Sequence, residues 1–260
     1  MCDTCGCGDP NVVSVDVHEN ILAVNDRTAA HNREHLDRQG ILAVNLMGSP
    51  GAGKTAVLEA TARALSGRRR LGVIAGDLET ERDADRLRAV DVPAVAITTG
   101  TACHLDAEMV HRALHGFPTG GLDYLFVENV GNLVCPAVYD LGQAVSVVAL
   151  SVTEGEDKPL KYPVMFRKAD LVLLTKVDLL PHLELDVSAL EAGLARVAPA
   201  ASLLPLSART AEGVSVWVDW LEARAASRPK PSGEGLGHHH EDGRGMIDAA
   251  AGSGGRSRDR

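Results

Sequence analysis

The sequence predicts an α/β fold: a doubly wound, mostly parallel sheet with helices on both faces. Three observations carry this expectation. Short apolar runs at 41–47, 71–75, 94–97, 122–127, 145–150, 170–174 and 202–206 alternate with helix-compatible segments such as 81–90, 106–115, 187–197 and 213–225. The runs are apolar almost throughout, as strands buried on both faces must be. A glycine-rich stretch, Gly48-Ser49-Pro50-Gly51-Ala52-Gly53-Lys54-Thr55, lies between the first run and a segment rich in helix formers, 56–65.

Composition sets the bounds. The chain has 260 residues, 45% hydrophobic and 23% charged, enough for one α/β domain with extensions. A net charge of −9 disfavours a nucleic-acid binder, which would want a basic face. No apolar run approaches the ~20 residues of a membrane span. The first residues carry no basic-then-apolar leader, and five cysteines, an odd number, do not make a disulfide framework. The expected compartment is the reducing cytoplasm.

Taken in order, residues 1–15 read as a flexible metal-binding motif. Cys2, Cys5 and Cys7 are spaced C-x-x-C-x-C, and a short loop can fold their sulfurs around one soft or borderline cation. With the α-amino group as fourth donor, the set would suit square-planar Ni(II). The plainer reading is an unstructured end with incidental cysteines. Residues 16–39 read as a solvated helix laid on the domain, with His18, His31 and His35 on its surface and Gly40 as its stop.

Residues 16–226 then form the nucleotide-binding domain. Glycines in the loop let backbone N–H groups converge on phosphate, and the following helix adds its free N–H groups and positive dipole end. Lys54 can reach the β- and γ-phosphates, and Thr55 can ligate Mg²⁺. Asp77 and Glu128 end two strands and are the candidates for orienting Mg²⁺ and the attacking water; otherwise they are acidic loop residues. Thr175-Lys176-Val177-Asp178 ends another strand and resembles the guanine-reading N-K-x-D element. A carboxylate there accepts from guanine N1 and the exocyclic amine, and the Lys176 stem covers the base plane. Ser207 and Ala208, before Arg209, resemble the S-A-K loop whose backbone N–H meets guanine O6. Together they favour GTP over ATP.

Cys103, His104 and Cys135 form a second metal set if the fold converges them, as expected if the strands they follow are near neighbours. Buried free cysteines are the alternative. The segment carrying Cys135 starts at Glu128, so a γ-phosphate that moved it would also move a metal ligand.

These residues resemble a known family, the hydrogenase nickel-incorporation GTPases (HypB family). The matching pieces are Cys2-Asp3-Thr4-Cys5-Gly6-Cys7, the glycine loop, Cys103-His104-Leu105-Asp106-Ala107, the segment 128–136, and Ser151-Val152-Thr153-Glu154-Gly155-Glu156-Asp157-Lys158-Pro159-Leu160-Lys161-Tyr162-Pro163. The resemblance implies a P-loop NTPase fold and a low-turnover GTPase that helps deliver nickel to [NiFe]-hydrogenase precursors. It implies a nucleotide-promoted homodimer, an accessory maturation protein and the hydrogenase large-subunit precursor as partners. It also implies nickel on Cys2, Cys5 and Cys7, and nickel or zinc on Cys103, His104 and Cys135. Thr175 stands where the family has Asn, and Ala211 where Gly is usual. Competing readings are a metal store or sensor whose nucleotide only sets dimerisation, and a P-loop ATPase or kinase with a structural metal. Residues 227–260, rich in Pro, Gly, Ser and Arg, cannot offset their ordering entropy and are expected to be disordered; His238, His239 and His240 within them could bind metal weakly.

Overall fold

The computed structural model describes residues 14–77, 80–100 and 102–228. The Cys2/Cys5/Cys7 motif and the tail from residue 229, His238–His240 included, lie outside the described residues. Seven strands form one sheet: β1 (Leu42–Met47), β2 (Leu71–Asp77), β3 (Ala94–Thr98), β4 (Tyr124–Glu128), β5 (Val145–Ser151), β6 (Leu171–Thr175) and β7 (Ser202–Leu206). Their spatial order is β3-β2-β4-β1-β5-β6-β7, and every pairing is parallel. The α-helices among the described residues are α1 (Ser14–Arg38), α2 (Lys54–Leu65), α3 (Arg82–Arg88), α4 (Ala107–Gly116), α5 (Lys158–Lys161), α6 (Pro163–Arg167), α7 (Val187–Val197) and α8 (Val214–Ala226).

The strands are apolar on both faces because both faces are covered. Along β1, Leu42, Val44 and Leu46 join one core with Val57 and Leu58 of α2, Leu87 of α3 and Trp217 and Leu221 of α8. Ile41 and Ala43 point the other way, to Leu36 of α1 and Val110 and Leu114 of α4. The same alternation splits β6: Leu171 and Leu173 face the first core, whereas Val172 and Leu174 meet Phe166, Leu190 and Leu194. A two-residue side-chain period between two helical layers requires apolar residues at every strand position. Trp217 is fully buried, and its indole N–H donates to Thr61 Oγ1 at 2.9 Å, so its polar atom is satisfied inside the core.

Helix α1 departs from the expected solvated helix. Asn25 and Asn32 are buried. Asn25 Oδ1 accepts from Ala107 N at 2.9 Å, and its amide donates to Asp140 O at 2.8 Å. Asn32 donates to Ala107 O and Leu141 O at 2.9 and 3.2 Å. Arg33 holds both carboxylate oxygens of Asp140 at 2.8 and 2.6 Å. The amides therefore clasp the start of α4 and the loop before β5, a use that hydropathy patterning does not reveal.

Candidate nucleotide and metal site

The glycine loop leaves β1 and enters α2 at the middle of the sheet. Gly48, Gly51 and Gly53 have φ of 147°, 77° and 91°, the left-handed half of backbone space that glycine tolerates. A Cβ on Gly48 would sit 2.4 Å from the carbonyl oxygen of Ala149, so β5 packs directly against the loop's first residue. Helix α2 begins without a side-chain cap or an acidic residue in its first turn, which leaves its N-terminal N–H groups for an anion. The loop borders a cleft of about 450 Å³ lined by Lys54, Thr55, Asp77, Asp83, Arg86 and Glu128, among others.

Inside the cleft, Lys54 is buried and its ammonium donates to Gly48 O and Ser49 O, both at 3.3 Å. Burial pulls its pKa below the ordinary lysine value, and the Glu128 carboxylate opposes that pull. Thr55 Oγ1 donates to Glu128 Oε1 at 2.8 Å. Glu128 is 3% exposed, and burial raises its pKa from 4.5 to about 7, against the opposing effects of Lys54 and the Thr55 hydrogen bond. Its other oxygen, Oε2, is buried with no hydrogen-bond partner. An orphaned carboxylate oxygen beside a threonine hydroxyl is what a hard, oxygen-seeking cation would satisfy, so the residues fit Mg²⁺. Asp77, at the end of β2, accepts from Thr80 Oγ1 at 2.8 Å and lines the same cleft.

The candidate base-reading residues lie at the ends of β6 and β7, in the order expected. Thr175 Oγ1 donates to Ala52 O at 2.6 Å, tying this strand end to the glycine loop. Lys176, at φ 60°, reaches back to Gly51 O at 2.6 Å. Asp178 accepts from Ser207 Oγ at 2.5 Å and from Arg209 Nε at 2.8 Å. The Ser207 bond first, and then Arg209, hold its carboxyl below the ordinary range. Ala208 is half-buried beside them. Ala211 has φ 64°, so the position expected to carry glycine adopts the backbone that favours glycine.

Cys103, His104 and Cys135 converge, with potential ligand atoms all within 4.8 Å of one another. The two sulfurs are 3.0 Å apart, and Cys103 Sγ lies 3.9 Å from His104 Nδ1. The expected route is corrected: β3 and β4 are not neighbours, because β2 runs between them. The Cys103 loop crosses over the end of β2. Gly76 makes this possible, since a Cβ there would lie 2.8 Å from Leu105 Cδ1. The hydrogen bond shared with Cys103, which favours the protonated Cys135 thiol, then burial, then the neighbouring sulfur's charge raise the Cys135 pKa. Burial lowers that of His104, whose ring stacks on Tyr139 at 4.1 Å between centroids. An imidazole beside two sulfurs 3.0 Å apart is a donor set that a borderline divalent cation would settle.

The two sites share a backbone. Asn129 follows Glu128, and its Oδ1 accepts from Leu105 N at 3.3 Å while its amide donates to Asn45 Oδ1 at 3.3 Å. Gly48 pairs with Asn132 in an isolated antiparallel bridge. A Cβ on Gly131 would sit 2.8 Å from Pro50 Cγ. The segment from Glu128 to Cys135 thus lies on the glycine loop through Gly131 and Asn132 and ends in a candidate sulfur ligand.

Sequence reasoning missed Glu154, Asp83, Arg86 and Asn129. Glu154 bridges Ser49 Oγ at 2.5 Å and Ser151 N at 2.9 Å, fixing the glycine loop against the end of β5. The S-x-x-E spacing of Ser151 and Glu154 is a capping-box signal that could have found it. Asp83 and Arg86 reach the cleft from α3, which no local motif marks.

The family profile described as "CobW/HypB/UreG, nucleotide-binding domain" matches residues 42–205. The hydrogenase maturation factor HypB of Azotobacter vinelandii is 53% identical over 214 residues, 82% of this chain and 70% of that protein. The HypB of Escherichia coli K12 is 46% identical over 210 residues, 81% of this chain and 72% of that protein. The crystal structure of HypB from Helicobacter pylori in complex with nickel superposes with a TM-score of 0.76 at 38% identity, covering 82% of this chain and 99% of that one.

Proposed function

The chain belongs to the CobW/HypB/UreG nucleotide-binding family, and within it to the HypB hydrogenase maturation factors; on that premise we propose that it hydrolyses GTP and delivers nickel to [NiFe]-hydrogenase precursors, with nucleotide state setting how tightly the metal is held. The observation that carries the reading is the segment from Glu128 to Cys135, which touches the glycine loop through Gly131 and Asn132 and ends in a candidate nickel ligand.

In this reading Lys54 and the N–H groups of the loop and of α2 hold the phosphates. Thr55 and Glu128 would hold Mg²⁺, which when bound neutralises charge on the phosphate oxygens. Asp77 orients the attacking water at the same cleft. Asp178 reads the guanine N1 and amine, Ser207 fixes the Asp178 carboxylate, and the Ala208 N–H meets O6. Thr175 and Lys176 tie the base-side loop to the phosphate loop through Ala52 and Gly51. Nickel is the cargo, taken by Cys103, His104 and Cys135 and by the Cys2/Cys5/Cys7 motif, with zinc as a competitor at the former. The working form is a nucleotide-promoted homodimer that meets an accessory maturation protein and the large-subunit precursor. No described helix is long and apolar enough to cross a membrane, which accords with work in the cytoplasm.

The test is nickel retention by the full chain with GDP and with a non-hydrolysable GTP analogue, in wild type, in a Cys2/Cys5/Cys7 triple alanine variant and in a Cys103/Cys135 double alanine variant. The expected result is a nucleotide-dependent difference that survives the triple substitution and vanishes in the double. Equal retention in both nucleotide states sinks the coupling. Single-turnover phosphate release that does not occur at all would leave a metal store whose nucleotide only sets dimerisation.

A further inference from the structure

Four histidines meet where α1 packs on α4, away from the cleft and from the Cys103 set. His31 and His35 lie one turn apart on α1, and His111 and His115 one turn apart on α4. His111 Nε2 and His115 Nε2 are 3.0 Å apart. Their rings stand edge to face at 4.5 Å between centroids, and His31 meets His111 edge-on at 5.2 Å. His35 Nε2 is 2.8 Å from the amide of Gln39. Its pKa is lowered by burial first, then by the charges of Arg38, His31, His111 and His115. Nothing in the nucleotide or sulfur sites uses these rings.

The tautomer of His111 is set by its surroundings. The buried Asn32 spends its amide hydrogens on Ala107 O and Leu141 O, so its Oδ1 is the atom that faces His111 Nδ1 at 3.0 Å. An oxygen there accepts, so His111 carries its proton on Nδ1 and presents a bare lone pair at Nε2. A buried amide orienting a ring in this way is the usual support behind a metal-bound histidine. In the metal-free form the lone pair accepts from His115 Nε2–H. If His115 moves its proton to the other ring nitrogen, both Nε2 atoms become donors to one cation. With metal–nitrogen distances of about 2.0–2.1 Å, a 3.0 Å separation subtends roughly 90° at the metal, the cis angle of square-planar or octahedral coordination.

We infer that His111 and His115 form a two-imidazole site, completed by solvent, for a divalent first-row transition cation at the α1–α4 seam, distinct from both cysteine sets. Helix α4 begins three residues after His104, so the same helix would carry a thiolate site at its head and an imidazole site along its length. The inference stands whether or not the nucleotide reading does, because it rests on no nucleotide contact.

The test uses the full chain with His238, His239 and His240 replaced by alanine, to remove the tail imidazoles. Equilibrium dialysis against Ni²⁺ counts bound equivalents, and near-ultraviolet absorption counts those bound through sulfur. The expected result is one equivalent without sulfur-to-metal charge transfer, lost in His115→Gln, with GTP hydrolysis unchanged. In a separate nitrogen-15 spectrum, one equivalent of Zn²⁺ should shift the Nε2 resonances of His111 and His115 together. The same number of equivalents in His115→Gln as in the parent, or unshifted Nε2 resonances, would overturn the two-histidine site. Because His115 is exposed on the helix surface, its substitution leaves the fold intact, and an unchanged melting curve checks this.

Discussion

Replacing Glu128 by Gln in nucleotide-free, EDTA-treated protein gives the sharpest test of the cleft. The folded state raises the pKa of this carboxyl from 4.5 to about 7 because burial outweighs the help of Lys54 and Thr55. Below pH 4.5 the group is protonated in both states and contributes fully. Between 4.5 and about 7 the folded chain holds a proton that the unfolded chain has released, so stability falls as pH rises. At about 1.36 kcal/mol per pKa unit the whole loss is about 3 kcal/mol, a large part of a domain stability of about 5–15 kcal/mol. The variant cannot ionise and lacks this slope. Any cost of housing the Gln amide is the same at both ends of the range, so it cancels in the comparison. Urea unfolding at pH 5 and pH 8 should show wild type losing about 2.5 kcal/mol more than the variant, the part of the loss that falls in that interval. Parallel pH dependences would mean that Glu128 is ionised at no cost in the empty cleft, and the argument from its orphaned oxygen to a cation would fail.

Other outcomes follow from single contacts. Ala211→Gly should stabilise the fold by about 1 kcal/mol in urea, because it relieves a left-handed alanine, whereas Gly213→Ala should destabilise it severely, since the new Cβ would lie 2.1 Å from Pro205 O. Asp178→Asn should move nucleotide preference in competition binding from guanine toward xanthine; unchanged preference would remove Asp178 from base reading. Arg209→Ala, which frees one Asp178 oxygen, should speed GDP association in stopped flow, and an unchanged rate would show that Arg209 does not compete with the base. Asn129→Ala should cost about 1–3 kcal/mol by stranding buried partners, and should shrink the difference in nickel retention between nucleotide states while GTP still binds.

What the sequence could determine was whatever local chemistry dictates. Runs such as 145–150 are apolar at all but one position, and only a strand covered on both faces needs that, so the doubly wound sheet was legible in the sequence. The glycine loop was legible because its geometry is written in its own residues, φ by φ. Helix 187–197 was legible as a helix-compatible segment between apolar runs, and the acids and lysines at strand ends from their place after those runs. Tertiary structure alone decided the contacts between segments distant in sequence. No spacing reveals that Gly76 lets Leu105 cross β2 so that Cys103 can reach Cys135, or that Asn25 and Asn32 of a polar helix are buried clasps. Nor does spacing place His111 against Asn32, 79 residues away. A strand or a turn is fixed by neighbours along the chain, whereas a ligand set is fixed by which loops the sheet order brings to one edge. That order depends on the packing free energy of the whole domain.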